Sequence, residues 1–182
     1  MKKKITITII CAVLSCVCLI GTTFAWLTAK TDPITNTFTV GDINITLTEG
    51  DALDLKMIPG KTITKDPKVT VKKDSEACWL FVKIEKGNNF DTYMTFEVAD
   101  GWIQLKNGDT PIDGVYYRAV DAVNADTDFN VIKNNQVKVL ESVTKAQLEA
   151  ASSSAPTLTF TAYAVQQEGV ATAADAWAKV TP

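Results

Sequence analysis

Apolar residues alternate with polar ones along most of this chain, and that period of two dictates extended strands, because successive side chains of a strand point to opposite faces. Ile34, Phe38 and Val40 alternate with Thr35, Thr37 and Thr39; beyond Gly41-Asp42, the residues Ile43, Ile45 and Leu47 alternate with Asn44, Thr46 and Thr48. β-Branched residues dominate both stretches, as a pleated surface favours. Pro59-Gly60 suits a type II turn leading towards Val69-Thr70-Val71. A strand over 78–85 sets Leu80, Val82 and Ile84 in one row and Trp79 and Phe81 with Lys83 and Glu85 in the other, which predicts a sheet covered in part on its second face. Further strands are predicted over 92–98, 115–123, 137–143 and 157–166, with turns at Asn88-Asn89, Asp100-Gly101, Asn107-Gly108 and Asp113-Gly114. Two helical pieces interrupt them. Thr144 and Gln147 have capping-box spacing ahead of Leu148-Glu149-Ala150-Ala151, and Thr172 and Asp175 repeat it before a face of Ala173, Trp177 and Val180 that would dock the C-terminus onto the strands. About eight short strands separated by turns predict an all-β, jelly-roll-like antiparallel β-sandwich with one or two short helices.

The start of the chain obeys a different pattern. Lys2, Lys3 and Lys4 precede an uncharged apolar run from Ile5 to Ile20, then Gly21-Thr22-Thr23-Phe24-Ala25-Trp26. A basic segment, an apolar segment and small residues at Thr23 and Ala25 are the parts of an export signal, read as an N-terminal signal helix cut by a signal peptidase ahead of Trp26. Two alternatives stay open. The uncharged stretch from Ile5 to Ala29 is long enough to span a bilayer if uncut, and Val13-Leu14-Ser15-Cys16 resembles a lipoprotein cleavage site, although Cys16 sits inside the apolar run. The organisation predicted is a signal over 1–25, an N-terminal strand over 26–40 and a single sandwich domain over 41–182. The product would be secreted, to the matrix or cell surface, and would meet the membrane only through its signal.

Removing the signal takes Cys11, Cys16 and Cys18 with it and leaves Cys78 as the one thiol, so an internal disulfide is excluded from the mature chain. Cys78 lies in the apolar run Cys78-Trp79-Leu80-Phe81-Val82 and is expected in the core. Without Lys2, Lys3 and Lys4 the 18 basic residues become 15 against 21 acidic ones, a net charge of −6. With no basic cluster to neutralise phosphates, nucleic acid is not an expected partner. The last residues, Ala176-Trp177-Ala178-Lys179-Val180-Thr181-Pro182, carry neither an apolar tail nor a sorting motif.

Histidine is absent from the whole chain, which removes the usual general base, the commonest zinc ligand and any Ser-His or Cys-His pair. The carboxylates fall mostly in turn-like stretches, with no motif to single out an acid and a base. No catalytic residue and no cofactor is predicted. Asn124, Asp126 and Asp128 repeat at two-residue spacing, as oxygen ligands of calcium often do, but an EF-hand register from Asn124 would need glycine at 129 and glutamate at 135, where the chain has Phe129 and Asn135.

Several of these segments resemble one family. Gly21-Thr22-Thr23-Phe24-Ala25-Trp26-Leu27-Thr28, then Asn36-Thr37-Phe38-Thr39-Val40-Gly41-Asp42-Ile43-Asn44-Ile45-Thr46-Leu47, Ile58-Pro59-Gly60-Lys61 and Thr161-Ala162-Tyr163-Ala164-Val165-Gln166 are similar to the TasA/camelysin-like exported proteins of Gram-positive bacteria, which use the dedicated signal peptidase SipW. The resemblance covers the signal and both ends of the mature domain; over 88–154 it is a strand pattern only. It implies a jelly-roll subunit that assembles, with like subunits or related fibre proteins, into biofilm-matrix fibres by N-terminal strand donation. Ile34, Phe38 and Val40 would then be the alternate side chains of a donor strand, released by signal cleavage. The same segment also reads as the first strand of its own sandwich. A second function class is a monomeric surface-binding module using exposed aromatics such as Trp79, Phe81, Tyr116 or Tyr117; a hydrolase is the weakest. Some family members carry a metalloprotease label, which a chain without histidine does not support.

Overall fold

A computed structural model describes residues 42–50, 56–87, 89–151 and 153–180. Ten strands are present: β1 (Ile45–Thr48), β2 (Thr62–Thr64), β3 (Lys68–Val71), β4 (Cys78–Gly87), β5 (Met94–Val98), β6 (Ile103–Asn107), β7 (Thr110–Val120), β8 (Thr127–Asn130), β9 (Ile132–Val139) and β10 (Thr157–Gln166). Three short helices are α1 (Phe90–Tyr93), α2 (Lys145–Ala151) and α3 (Ala173–Val180). All strand pairing is antiparallel.

One layer is the sheet β10-β4-β7-β6. The other consists of two sheets, β1-β3-β8 and β2-β9-β5, that are continuous with each other. β2 runs on into β3 and β8 into β9, and main-chain bonds bridge the break: Lys65 N–H donates to Asn135 O (2.9 Å) and Val131 N–H to Pro67 O (2.9 Å). Asn134 and Asn135, both left-handed (φ 54° and 56°), take up the extra length of the longer strand. Merging those two pairs, the ten assigned strands trace eight strand paths, in keeping with the sandwich read from the sequence.

Between the layers, Cys78, Leu80, Val82 and Ile84 of β4 pack with Val69, Val71 and Val131. The opposite row of β4 is covered too, because α3 lays Ala173, Ala176 and Trp177 over Phe81, Leu105 and Val115. Both helix starts use the expected caps. Thr144 N–H donates to Gln147 Oε1 (2.8 Å) while Gln147 N–H donates to Thr144 Oγ1 (3.3 Å); Asp175 N–H donates to Thr172 Oγ1 (3.1 Å).

Several boundaries differ from the sequence reading. β5 starts at Met94 because residues from Phe90 coil into α1, which buries Phe90 against Phe96. β7 begins at Thr110, so Asp113-Gly114 is no turn but an irregularity inside a strand, with Gly114 at φ +67° against the Ile84 carbonyl. β9 covers 132–139 instead of 137–143. β2, β6 and β8 escaped prediction because each carries one or two apolar residues in a polar stretch.

Candidate functional site: an open strand edge

A strand at the border of a sheet leaves the main-chain N–H and C=O of every second residue without a ladder partner, and folded proteins shield such edges with charge, proline, bulges or brevity. Most borders here follow that rule. β1, β2 and β8 have four, three and four residues. β5 carries Glu97 and β6 carries Lys106, each within a strand of five residues whose register slips. β10 is the exception. Its ten residues, Thr-Leu-Thr-Phe-Thr-Ala-Tyr-Ala-Val-Gln, pair with β4 from Thr157↔Gly87 to Gln166↔Cys78 without a slip, contain neither charge nor proline, and pair with no strand on the other side among the described residues.

Beside the start of this edge lies an apolar groove of about 440 Å³, lined by Met57, Ile63, Phe90, Met94, Val137 and Leu158. It lies where the β10 layer thins out: this half of the core, built on Ile63, Met94, Ile132, Val137 and Val139, receives only Leu158 and Phe160 from that layer. Lys65 stands at the rim, its ammonium 2.6 Å from Glu49. A second hollow of about 310 Å³ continues along β10 between Leu47, Pro67, Leu158 and Phe160. Leu47 and Ile58, next to Met57, are exposed at 36% and 51%. Edge and groove together could take an extended segment, with main-chain bonds along β10 and alternate apolar side chains in the hollows.

Of the residues singled out in the sequence, Thr23, Ala25 and Trp26 at the cleavage junction and Ile34, Phe38 and Val40 of the donor strand lie outside the described residues. Asn124, Asp126 and Asp128 lie in and after the loop before β8, and the two carboxylates are engaged by the protein itself. Asp126 accepts from Lys73 N–H (2.8 Å) and Lys72 Nζ (3.0 Å); Asp128 accepts from Lys68 Nζ (2.7 Å) and Thr70 Oγ1 (2.7 Å). The Lys73 amide holds the Asp126 carboxyl below its ordinary range, and the Lys68 ammonium does the same for Asp128. Lysine nitrogens thus stand where calcium would compete for the same oxygens.

The aromatics expected on the surface need correction. Phe81 is fully buried; Trp79 and Tyr117 pack with it beneath α3, and the Trp79 indole donates to Val170 O (3.1 Å). Tyr116 faces the inter-sheet core. A row of aromatics on one strand face reads equally as a binding surface or as the floor of a docked helix, and α3 makes it the second. Cys78 is buried as expected, and desolvation pushes its thiol up to about 11. What sequence reasoning missed is β10's position: its uncharged composition is visible, but only the pairing order makes it a border.

Fold and edge define an antiparallel β-sandwich with one long border strand that, among the described residues, pairs with a strand on one side only. The chain belongs to the family described as camelysin metallo-endopeptidases, which matches it over residues 1–169. No curated protein and no solved structure matches it. A peptidase zinc is held by imidazole, thiolate and carboxylate ligands around an activated water. The donors here do not fit that group: the 182 residues include no histidine, Cys78 is buried in the core, and among the described residues no three of His, Cys, Asp or Glu converge.

Proposed function

We propose that this protein is an exported structural subunit of an extracellular matrix fibre, and that the β10 edge of one copy accepts the extended segment 26–40 of the next after a signal peptidase cuts ahead of Trp26. The observation that carries this reading is an uninterrupted, uncharged ten-residue border beside an apolar groove. A strand laid along β10 would widen the layer over Ile63, Val137 and Met94. Each large apolar side chain seated there would gain about 1.5–3 kcal/mol from leaving water. Ile34, Phe38 and Val40 have the parity to enter from one face. The family's association with extracellular and cell-surface proteins supports the setting. Its peptidase description finds no support in the donor set: the 182 residues include no histidine, and among the described residues no three of His, Cys, Asp or Glu converge.

The test compares protein starting at Trp26 with protein starting at Gly41, and with Thr159→Lys in the longer form, by size-exclusion chromatography and negative-stain microscopy over a range of concentrations. Filaments from the longer form alone, suppressed by an added charge on the exposed Thr159 of β10, are the expected result. Filaments from the shorter form, or from Thr159→Lys at undiminished yield, would refute acceptance at this edge, and monomers throughout would refute the fibre. In parallel, zinc-supplemented protein should cleave casein no faster than an EDTA-treated control.

A further inference from the structure

The chain has one arginine, and its surroundings are unusual for a cation in a protein with a surplus of acids. Arg118, on β7 opposite Leu80, lays its guanidinium over the ring of Phe129, 4.1 Å from the centroid, with the Trp102 ring at 5.5 Å. Gly101 presses on the group as well: a Cβ there would lie 3.0 Å from Nη2 and 3.4 Å from both Cζ and Nη1, and Gly101 is itself at φ +87°. The Trp102 indole donates to Asn130 O (2.8 Å), which fixes that wall. Stacking and backbone therefore hold the guanidinium plane without a hydrogen bond.

Its donors have no protein partner among the described residues. Nε is buried and unsatisfied. Of the carboxylates next to the clamp in sequence, Asp128, beside Phe129, binds Lys68 at 2.7 Å, and Asp100, beside Gly101, points to solvent with its side chain 92% exposed, 3.9 Å from Lys133. Arg118 is only partly exposed, and burial alone, with no acidic neighbour contributing, pushes its pKa down. Burial costs a cation free energy unless something pairs with it. Arginine is the side chain whose flat fork matches two oxygens of one oxyanion.

We propose that the Nη edge of Arg118, framed by Phe129, Gly101 and Trp102, is a binding site for an oxyanion, a carboxylate or a phosphate group engaged through two oxygens. The site is independent of the β10 edge and needs no assembly. A carboxylate could come from an acidic sugar and a phosphate from an anionic cell-surface polymer, so the probes separate the two.

The experiment titrates protein starting at Trp26, at concentrations where it elutes as a monomer, with sodium acetate and with inorganic phosphate against sodium chloride of matched ionic strength. The readouts are the Arg118 Nε–Hε and Trp102 indole resonances. A saturable shift with acetate or phosphate but not with chloride is expected, the responding anion naming the source, and Arg118→Lys should weaken it at least roughly tenfold by losing the fork. Shifts that follow ionic strength alone, or equal affinity in Arg118→Lys, would overturn the site. Since the wild-type titration stands by itself, a poorly folding variant leaves the proposal open to refutation. A purely structural arginine would lower the melting temperature on substitution and show no anion response.

Discussion

Gly114 and Gly108 both sit at positive φ, +67° and +60°, yet only one is crowded. A Cβ at Gly114 would collide with the main-chain oxygen of Ile84, whereas nothing lies within 4 Å of the place it would take at Gly108. The left-handed conformation alone costs an ordinary residue about 1–2 kcal/mol, and displacing a packed strand adds about 1–3 more. Gly114→Ala should therefore destabilise by about 2–5 kcal/mol and Gly108→Ala by about 1 kcal/mol, read from urea unfolding at neutral pH; equal losses would show that β7 and β4 yield freely at that point. The sequence marked these positions well. Gly60, Gly101 and Gly108 all take the positive φ their dipeptides announce, and Lys61 N–H closes the Pro59-Gly60 turn onto Ile58 O (2.9 Å). Asp113-Gly114 carries the same signal, but a kink within a strand demands the same freedom as a reversal, so composition alone does not separate the two.

α3 is the element on which the second face of the β4 sheet depends. Trp177 meets Phe81 at 5.2 Å and Tyr163 edge-on at 5.3 Å between ring centroids. Trp177→Ala would remove the largest side chain of that contact and should cost about 3–5 kcal/mol. Thr172→Ala, which loses only the cap, should cost about 1 kcal/mol. Unfolding monitored by near-ultraviolet circular dichroism ranks the two; a Trp177 variant as stable as Thr172→Ala would mean the helix is not what holds this face. Helix, caps and buried row were all legible, since each depends on residues within a few positions. The continuity of β2 with β3 and of β8 with β9 was not. It depends on partners such as Thr62↔Lys138 and Lys68↔Asn130, more than sixty positions apart, and on two left-handed asparagines between them.

For the molecule as a whole, a chain starting at Trp26 would rest on packing without covalent ties. Protein starting at Trp26 has Cys78 alone, buried and with its thiol raised to about 11. Its melting temperature should be the same with and without dithiothreitol, and the thiol should react with a disulfide reagent only after denaturation; a covalent dimer on a non-reducing gel would contradict the burial. The sandwich class followed from period two, while the border role of β10 required the order of strands, which no local pattern encodes. That strand offers no carboxylate, ammonium or imidazole along its whole length. Acid, mild alkali and brine therefore have no handle on it, and a joint made there would tolerate swings in surroundings that would loosen one built from ion pairs.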